Sequence, residues 1–280
     1  MDSFAFHINI EPAKPWSEIA ISWLAEEGFD AFEETEVGLV AYTDENTTPN
    51  LQKPLDLIKN WAEKSKIHCT VDIERIEQKN WNAIWESDFK PVNVEDRLLI
   101  VAPFHDKLET NGLVVVIQPQ MSFGTGHHQT TWMMSKALLD LENLPSKILD
   151  MGTGTGILAI LAEKLGAKDI MAIDIEEWSA ENTKENAERN KCKNISTFHG
   201  DVDLIKGEQF GLILANINMN VLKSHMECYK NSLDQNGILL LSGFFETDVP
   251  ELLKLTESLG FEKQKMFTKE TWAALQLKLI

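Results

Sequence analysis

The segment that most constrains this chain is Ile148–Ile160, which reads ILDMGTGTGILAI. An apolar run ends at Asp150, then Gly152, Gly154 and Gly156 alternate, and a second apolar run opens at Ile157. Alternating glycines let the backbone turn sharply and let a ligand approach main-chain atoms that a Cβ would screen. The pattern predicts a buried strand, a tight loop and a helix whose N-terminus faces a ligand. A dinucleotide fingerprint would carry its third glycine at position 157, where Ile157 stands, so the spacing is GxGxG instead. Asp150 lies two positions before the first glycine. A carboxylate there repels a pyrophosphate and attracts a ligand bearing an amino group or a sulfonium.

The surrounding pattern alternates strand and helix. Strands are predicted near 113–117, 147–151, 169–174, 194–198, 209–215, 237–243, 261–267 and 271–279, with helices near 129–142, 156–165, 176–190, 219–233 and 247–259. Such alternation gives a mainly parallel sheet covered on both faces, and the last two strands, with no helix between them, should form an antiparallel hairpin near an edge. The strand DIMAID ends in Asp174, 22 residues after Gly152. An acid at the tip of the second strand is placed to accept hydrogen bonds from ribose hydroxyls. Ribose, amino acid and positive sulfur together describe S-adenosylmethionine.

The first part of the chain follows a different rhythm. Phe4, Phe6, Ile8 and Ile10 recur at period two, Pro15 opens a helix that ends at Gly28, and strands follow over 29–34 and 38–43. DENTTPN (44–50) reads as a loop, 51–64 as a helix and about 68–77 as a strand. The order βαββαβ is that of a small α+β ferredoxin-like domain. We therefore divide the chain into a domain over 1–77, a connector over 78–104 carrying Trp81 and Trp85, and an α/β domain over 105–280.

Charge separates the two parts as well. The chain holds 26 basic and 44 acidic residues, a formal net charge of −18. Residues 1–60 contribute 12 acids and three bases, which is −9, and Glu26, Glu27, Asp30, Glu33, Glu34 and Glu36 fall in eleven residues without a base. That balance disfavours broad contact with nucleic-acid phosphates and suits either a solvated face or a docking surface for a basic partner. Cys69, Cys192 and Cys228 lie far apart with no CxxC, a reducing-compartment pattern. With no apolar run of membrane length and no basic, apolar leader, a cytoplasmic protein is expected.

Two further segments carry polar residues next to predicted helices or strand ends. In QMSFGTGHHQTT (120–131), two glycines precede a helix that Thr130 or Thr131 would cap. His127 and His128 are adjacent, so their side chains diverge, and no metal site is expected from them. In FGLILANINMN (210–220), a buried strand ends at Asn216, which either caps the next helix or orients a substrate amine or the cofactor, with Asn218 as a second candidate.

Taken together, these motifs resemble the bacterial ribosomal protein L-eleven methyltransferases, a family of class I S-adenosylmethionine-dependent enzymes. The resemblance runs through NWNAIWESDFKPVNVEDRLLI (80–100), FGTGHHQTT (123–131), DMGTGTGILAI (150–160), AIDI (172–175), LAN (214–216) and ETWAALQLK (270–278). It implies a Rossmann-like seven-stranded sheet behind the ferredoxin-like domain, and contacts to S-adenosylmethionine from Thr131, Gly152, Asp174 and Asn216. Phe123, Gly154 and Ile175 would complete that pocket. It also implies that the acidic N-terminal domain recognises the ribosomal protein, and that lysine ε-amino groups and an N-terminal α-amino group are trimethylated. Two positions depart from the family pattern. Ile217-Asn218-Met219 stands where Ile-Leu-Ala is usual, and Thr155 where Ser is frequent. Competing readings are methylation of another protein or a small amine, and a non-catalytic ribosome-assembly factor.

Overall fold

A computed structural model of the chain describes residues 3–44, 47, 50–76, 89–105, 109–120 and 123–280. Trp81 and Trp85, and any short helix carrying them, lie outside these residues, as do parts of the 44–50 loop. The chain divides into two compact units, Met1–Ser87 and Asp88–Ile280.

The first unit runs β1 (Ser3–Glu11), α1 (Ala13–Glu26), β2 (Ala31–Thr35), β3 (Gly38–Asp44), α2 (Gln52–Ser65) and β4 (His68–Ile76). Its strands pair antiparallel in the order β2-β3-β1-β4, the ferredoxin-like arrangement. Period two in β1 turns Phe6, Ile8 and Ile10 to one face, where they pack on Ala20 and Leu24 of α1 and Ile58 of α2. Glu26, Glu27, Asp30, Glu33, Glu34 and Glu36 are all exposed around the edge strand β2.

The second unit opens with β5 (Val92–Val94), β6 (Leu98–Val101) and β7 (Leu113–Val116), which form a separate three-stranded sheet. β5 and β6 fall in the stretch read from sequence as connector. They are three and four residues long, too short to show a period, yet Val94, Leu98 and Ile100 are buried in the core of this unit. β7 joins them and not the main sheet.

Then follow α3 (Gln129–Leu139), β8 (Lys147–Met151), α4 (Ile157–Lys164), β9 (Asp169–Asp174), α5 (Glu177–Arg189), β10 (Ile195–His199), β11 (Phe210–Asn216), α6 (Met219–Asn231), β12 (Leu233–Phe245), α7 (Val249–Ser258), β13 (Phe261–Lys269) and β14 (Trp272–Leu279). Seven strands make the sheet β10-β9-β8-β11-β12-β14-β13. The first five are parallel, and β14 inserts antiparallel between β12 and the edge strand β13. The class I Rossmann-like fold and its terminal hairpin are thus as the sequence predicts.

Alternation within the central strands divides the core. Ile148, Leu212 and Leu214 face α3 and α4, where they meet Met133, Leu138 and Leu161. Leu149, Ile213 and Ala215 face the other way, toward Leu222 and Met226 of α6 and Leu252 of α7. Burial on both faces explains why these strands read as continuous apolar runs. It also leaves their C-terminal ends as the place where polar residues can gather.

Candidate functional site

The carboxyl ends of β8, β9, β10, β11 and β12 surround a cavity of about 790 Å³, within the usual range for a small-molecule site. Gly152 and Gly154 from the loop after β8, Asp174 and Ile175 from β9, and Asn216 from β11 all line it, with Phe123 from the loop before α3. Six of the seven residues marked out in the sequence therefore meet in one place.

The loop is held from several sides. The backbone N–H groups of Gly152 and Thr153 both donate to the Ile173 carbonyl, at 2.8 and 3.0 Å. Gly154 N–H donates to Asp174 Oδ2 at 2.8 Å, and Glu176 N–H donates to Asp174 Oδ1 at 3.1 Å. Asp174 is 8% exposed, and each of its oxygens keeps a lone pair for a further donor. From α5, Thr183 Oγ1 donates to the Gly154 carbonyl and Asn186 Nδ2 to that of Thr155.

Upstream, the 123–124 segment lies against the same loop. Thr155 N–H donates to the Phe123 carbonyl at 3.0 Å, and Thr155 Oγ1 to that of Gly124 at 2.6 Å. A Cβ on Gly154, where φ is +58°, would sit 2.2 Å from the Phe123 carbonyl oxygen. Glycine is required there by contact as well as by backbone angle.

Asp150 does not line the cavity. It is 1% exposed, and its Oδ2 accepts from Thr153 Oγ1 at 2.7 Å and from Ala159 N–H at 3.2 Å. It braces the loop against the start of α4 from below. Burial pushes its carboxyl up to about 7, aided by the nearby Asp174 charge and opposed by the two hydrogen bonds.

Thr131 is fully buried, so its hydroxyl meets the site through Asn216, whose Nδ2 donates to it at 3.4 Å. Asn216 Oδ1 is buried and has no hydrogen-bond partner among the described residues. The turn that follows is gripped between two glycines. A Cβ on Gly152 would stand 2.1 Å from Ile217 Cγ2, and one on Gly243, where φ is +100°, 2.2 Å from the Ile217 carbonyl oxygen.

The helix caps differ from those expected. α3 is capped by His128, whose Nδ1 accepts from Thr130 N–H and faces Thr130 Oγ1 at 2.8 Å, so neither Thr130 nor Thr131 is the cap. An imidazole whose Nδ1 accepts is held neutral, and burial lowers its pKa, against a smaller opposing effect of Glu270. His127 meets the Lys90 carbonyl at 2.8 Å and Thr125 Oγ1 at 3.2 Å. Asn218, not Asn216, caps α6, accepting from Asn220 N–H at 2.8 Å. Asn216 is thereby left to the cavity. Among the described residues no group of three or more His, Cys, Asp or Glu side chains is placed to hold a metal.

Several wall residues escaped the sequence reading. Trp178 and His225 come from helices, Asp201 from the loop after β10, and Gly243 and Trp272 from β12 and β14. Only Asp201 carried a usable signal, since Gly200-Asp201 directly follows a parallel strand, where ligands of such sheets bind. Burial lowers the His225 pKa, countered by the Asp201 charge, and its Nδ1 lies 3.1 Å from Tyr229 OH.

A parallel sheet of this order, with a glycine loop after its first strand and an acid ending its second, defines a class I methyltransferase. Known proteins place it further. The profile of the ribosomal protein L11 methyltransferase family (PrmA) matches residues 10–279. A ribosomal protein L11 methyltransferase of Porphyromonas gingivalis is 41% identical over 98% of this chain and 96% of its own length. One from Bacteroides thetaiotaomicron is 36% identical over 99% of each. The crystal structure of a ribosomal protein L11 methylase from Lactobacillus delbrueckii subsp. bulgaricus superposes with a TM-score of 0.63 at 27% identity, covering 68% of this chain and 98% of that one. The chain belongs to the ribosomal protein L11 methyltransferase family.

Proposed function

We propose that the chain transfers methyl groups from S-adenosylmethionine to lysine ε-amino groups and the N-terminal α-amino group of ribosomal protein L11, up to trimethylation, in the cytoplasm. The observation that carries this reading is Asn216, a residue of the cavity wall whose buried Oδ1 has no hydrogen-bond partner among the described residues. It fits a neutral amine, whose N–H groups need acceptors that aim its lone pair.

The residues around it fit S-adenosylmethionine. Asp174 accepts the ribose hydroxyls on its free lone pairs. Gly152 and Gly154 let the backbone come close to the amino-acid end, and Phe123 and Ile175 supply apolar walls. Thr131 holds the Asn216 amide in place. When bound, the cofactor supplies an electrophilic methyl on a positive sulfur, so no nucleophilic side chain is needed. The protein's task is alignment and delivery of a neutral amine. A lysine of pKa ~10.4 is neutral in only about 0.1% of molecules at pH ~7.4, and partial desolvation raises that share.

Residues 1–77 serve as the recognition domain, and the methyltransferase domain takes in β5 and β6 from the 78–104 stretch together with residues 105–280. The exposed carboxylates around β2 take up the basic ribosomal protein. Intact-mass measurement of purified L11, incubated with the enzyme and S-adenosylmethionine, tests the reading. Steps of ~14 Da are expected with the wild type and should largely vanish with Asp174→Ala. A wild-type enzyme that binds the cofactor and leaves the mass of L11 unchanged would rule out this substrate.

A further inference from the structure

Three rings stand in a row on one side of the cavity. Phe123 meets His128 edge-on at a centroid distance of 5.1 Å, and His128 meets Trp272 at 4.7 Å. All three line the cavity. Phe245, 45% exposed, backs the row by lying against Trp272 at 4.2 Å. His128 Nδ1 accepts from Thr130 N–H, so this ring is neutral and adds no positive charge. Among the described lining residues there is no Lys or Arg, whereas Asp174, Glu176 and Asp201 are acids. Aromatic rings in a negative cavity attract cations, and methylated ammonium groups are a recurrent case.

Strand order places this row. Asp174 ends β9, and across the sheet follow the glycine loop after β8, Asn216 at the end of β11, Gly243 in β12 and Trp272 in β14. Asn216 is in register with Ser242, and Phe245 with Trp272. Trp272, and the His128 ring against it, thus lie beyond Asn216 on the side away from Asp174. In-line displacement brings the amine to the methyl carbon from the side opposite the sulfur. With ribose at Asp174, that is the side of Asn216 and the rings.

Each transfer forms an N–C bond and breaks the S–C bond, whose electron pair stays on sulfur. The resulting ammonium releases a proton to solvent before the next transfer. A neutral primary amine has two N–H groups, a monomethylated one has one, and a dimethylated one has none. Asn216 Oδ1 accepts only from N–H, so its hold declines at every step and is gone at the third. Ring faces do the reverse, since they take up methyl groups and attract the charge that develops on nitrogen. We infer that His128 and Trp272, with Phe123 at the edge and Phe245 behind, form a subsite for methylated amines that carries the second and third transfers. This rests on the function proposed above and assigns its successive steps to different residues.

The test is a time course of L11 methylation by the full-length enzyme, read by peptide mass after digestion so that methyls are counted on each amine. Wild type and variants are compared at equal total methyl incorporated, which cancels any slowing shared by all three steps. Trp272→Leu should raise the ratio of mono- and dimethylated to trimethylated amine by about tenfold. Trp272→Phe, which keeps a ring face, should stay within about threefold of the wild type. Thermal unfolding checks that both fold. Should Trp272→Leu fail to fold, Phe245→Leu decides instead: removing the exposed ring behind Trp272 should shift the products toward lower methylation, and an unchanged distribution overturns the assignment.

The same holds if Trp272→Leu and the wild type give equal distributions, or if Trp272→Phe is impaired as much as Trp272→Leu. A wild-type enzyme that stops at one methyl per amine also overturns the subsite and leaves methyl transfer to L11 standing. One that adds no methyl to L11 removes the proposed function along with it.

Discussion

Gly154 donates its backbone N–H to Asp174 Oδ2 at 2.8 Å, so the glycine loop and the end of the second strand are one hydrogen-bonded unit. The carboxylate thus has two duties: it orders the loop and offers its remaining lone pairs to a ligand. Asp174→Asn keeps the size and exchanges one acceptor oxygen for an NH₂ donor, which cannot serve both a backbone N–H and a hydroxyl proton. Hydrogen bonds to a charged group are worth about 1.5–3 kcal/mol each, so S-adenosylhomocysteine should bind ~10–100-fold more weakly, as read by calorimetry. Unchanged affinity would remove Asp174 from the ligand.

Asp150 predicts a pH dependence of stability. Its folded pKa is raised to about 7 by burial, whereas an unfolded Asp titrates near ~3.9. Between those values the unfolded chain has lost a proton that the folded chain keeps, so stability falls as pH rises through this window and levels off above about 7. Full expression would amount to roughly 4 kcal/mol, at about 1.4 kcal/mol per pKa unit. Asp150→Asn removes the titration and keeps an acceptor for Thr153 and Ala159. Its stability relative to the wild type should therefore increase from pH ~4 to ~7 in thermal unfolding. A difference independent of pH would contradict the assignment.

Much of this was legible because the informative positions sit where one strand ends and a loop begins. Asp174 and Asn216 close apolar runs, and Gly152, Gly154 and Gly156 announce the turn between two others. Less legible was whatever depends on tertiary contact. β5 and β6 show no period of their own and exist because they pair with each other and β6 pairs with β7. His128 took the cap of α3 because its neutral Nδ1 can accept, a role usually read from Ser, Thr, Asp or Asn. Asn218 took the cap of α6 because the chain turns directly after β11, at Ile217. Thr131 looked like a ligand contact, but the helix carries it inward beneath Asn216.

Gly243 sits at an irregularity between β12 and β14, and its φ of +100° and the nearby Ile217 carbonyl both exclude a side chain. Gly243→Ala should push the 216–218 turn away from the strand and take the Asn216 amide with it. A fall in kcat of about tenfold is expected, with a smaller loss of stability of ~1–2 kcal/mol from the strained backbone. Steady-state methylation kinetics alongside thermal unfolding separates the two. Full activity would show that the turn tolerates displacement.

The exposed acids at the edge of the first unit predict a salt-dependent substrate KM. Glu33, Glu34 and Glu36 are all exposed, and among the described residues none is in an ion pair. Reversing all three to Lys should raise KM for the basic ribosomal protein by about tenfold at low salt, leave kcat and cofactor binding alone, and lose its effect near ~0.5 M salt. Equal KM values at low salt would assign these acids to solvation only.

Asn216 and Thr131 can be told apart by what each leaves behind. Asn216→Ala removes the buried acceptor and the donor to Thr131 together, and should lower kcat by about 10²-fold, the usual effect of losing one positioned polar group. Thr131→Val keeps the Asn216 carbonyl and removes only the hydroxyl that its Nδ2 meets at 3.4 Å. The amide is then loosened but present, so kcat should fall by about five- to tenfold, in line with one neutral hydrogen bond of ~1 kcal/mol. S-adenosylhomocysteine affinity should change less than kcat in both variants, because Asp174 and the glycine loop are untouched. If Thr131→Val instead weakens ligand binding and spares kcat, Thr131 supports the cofactor wall and not the orientation of the amine.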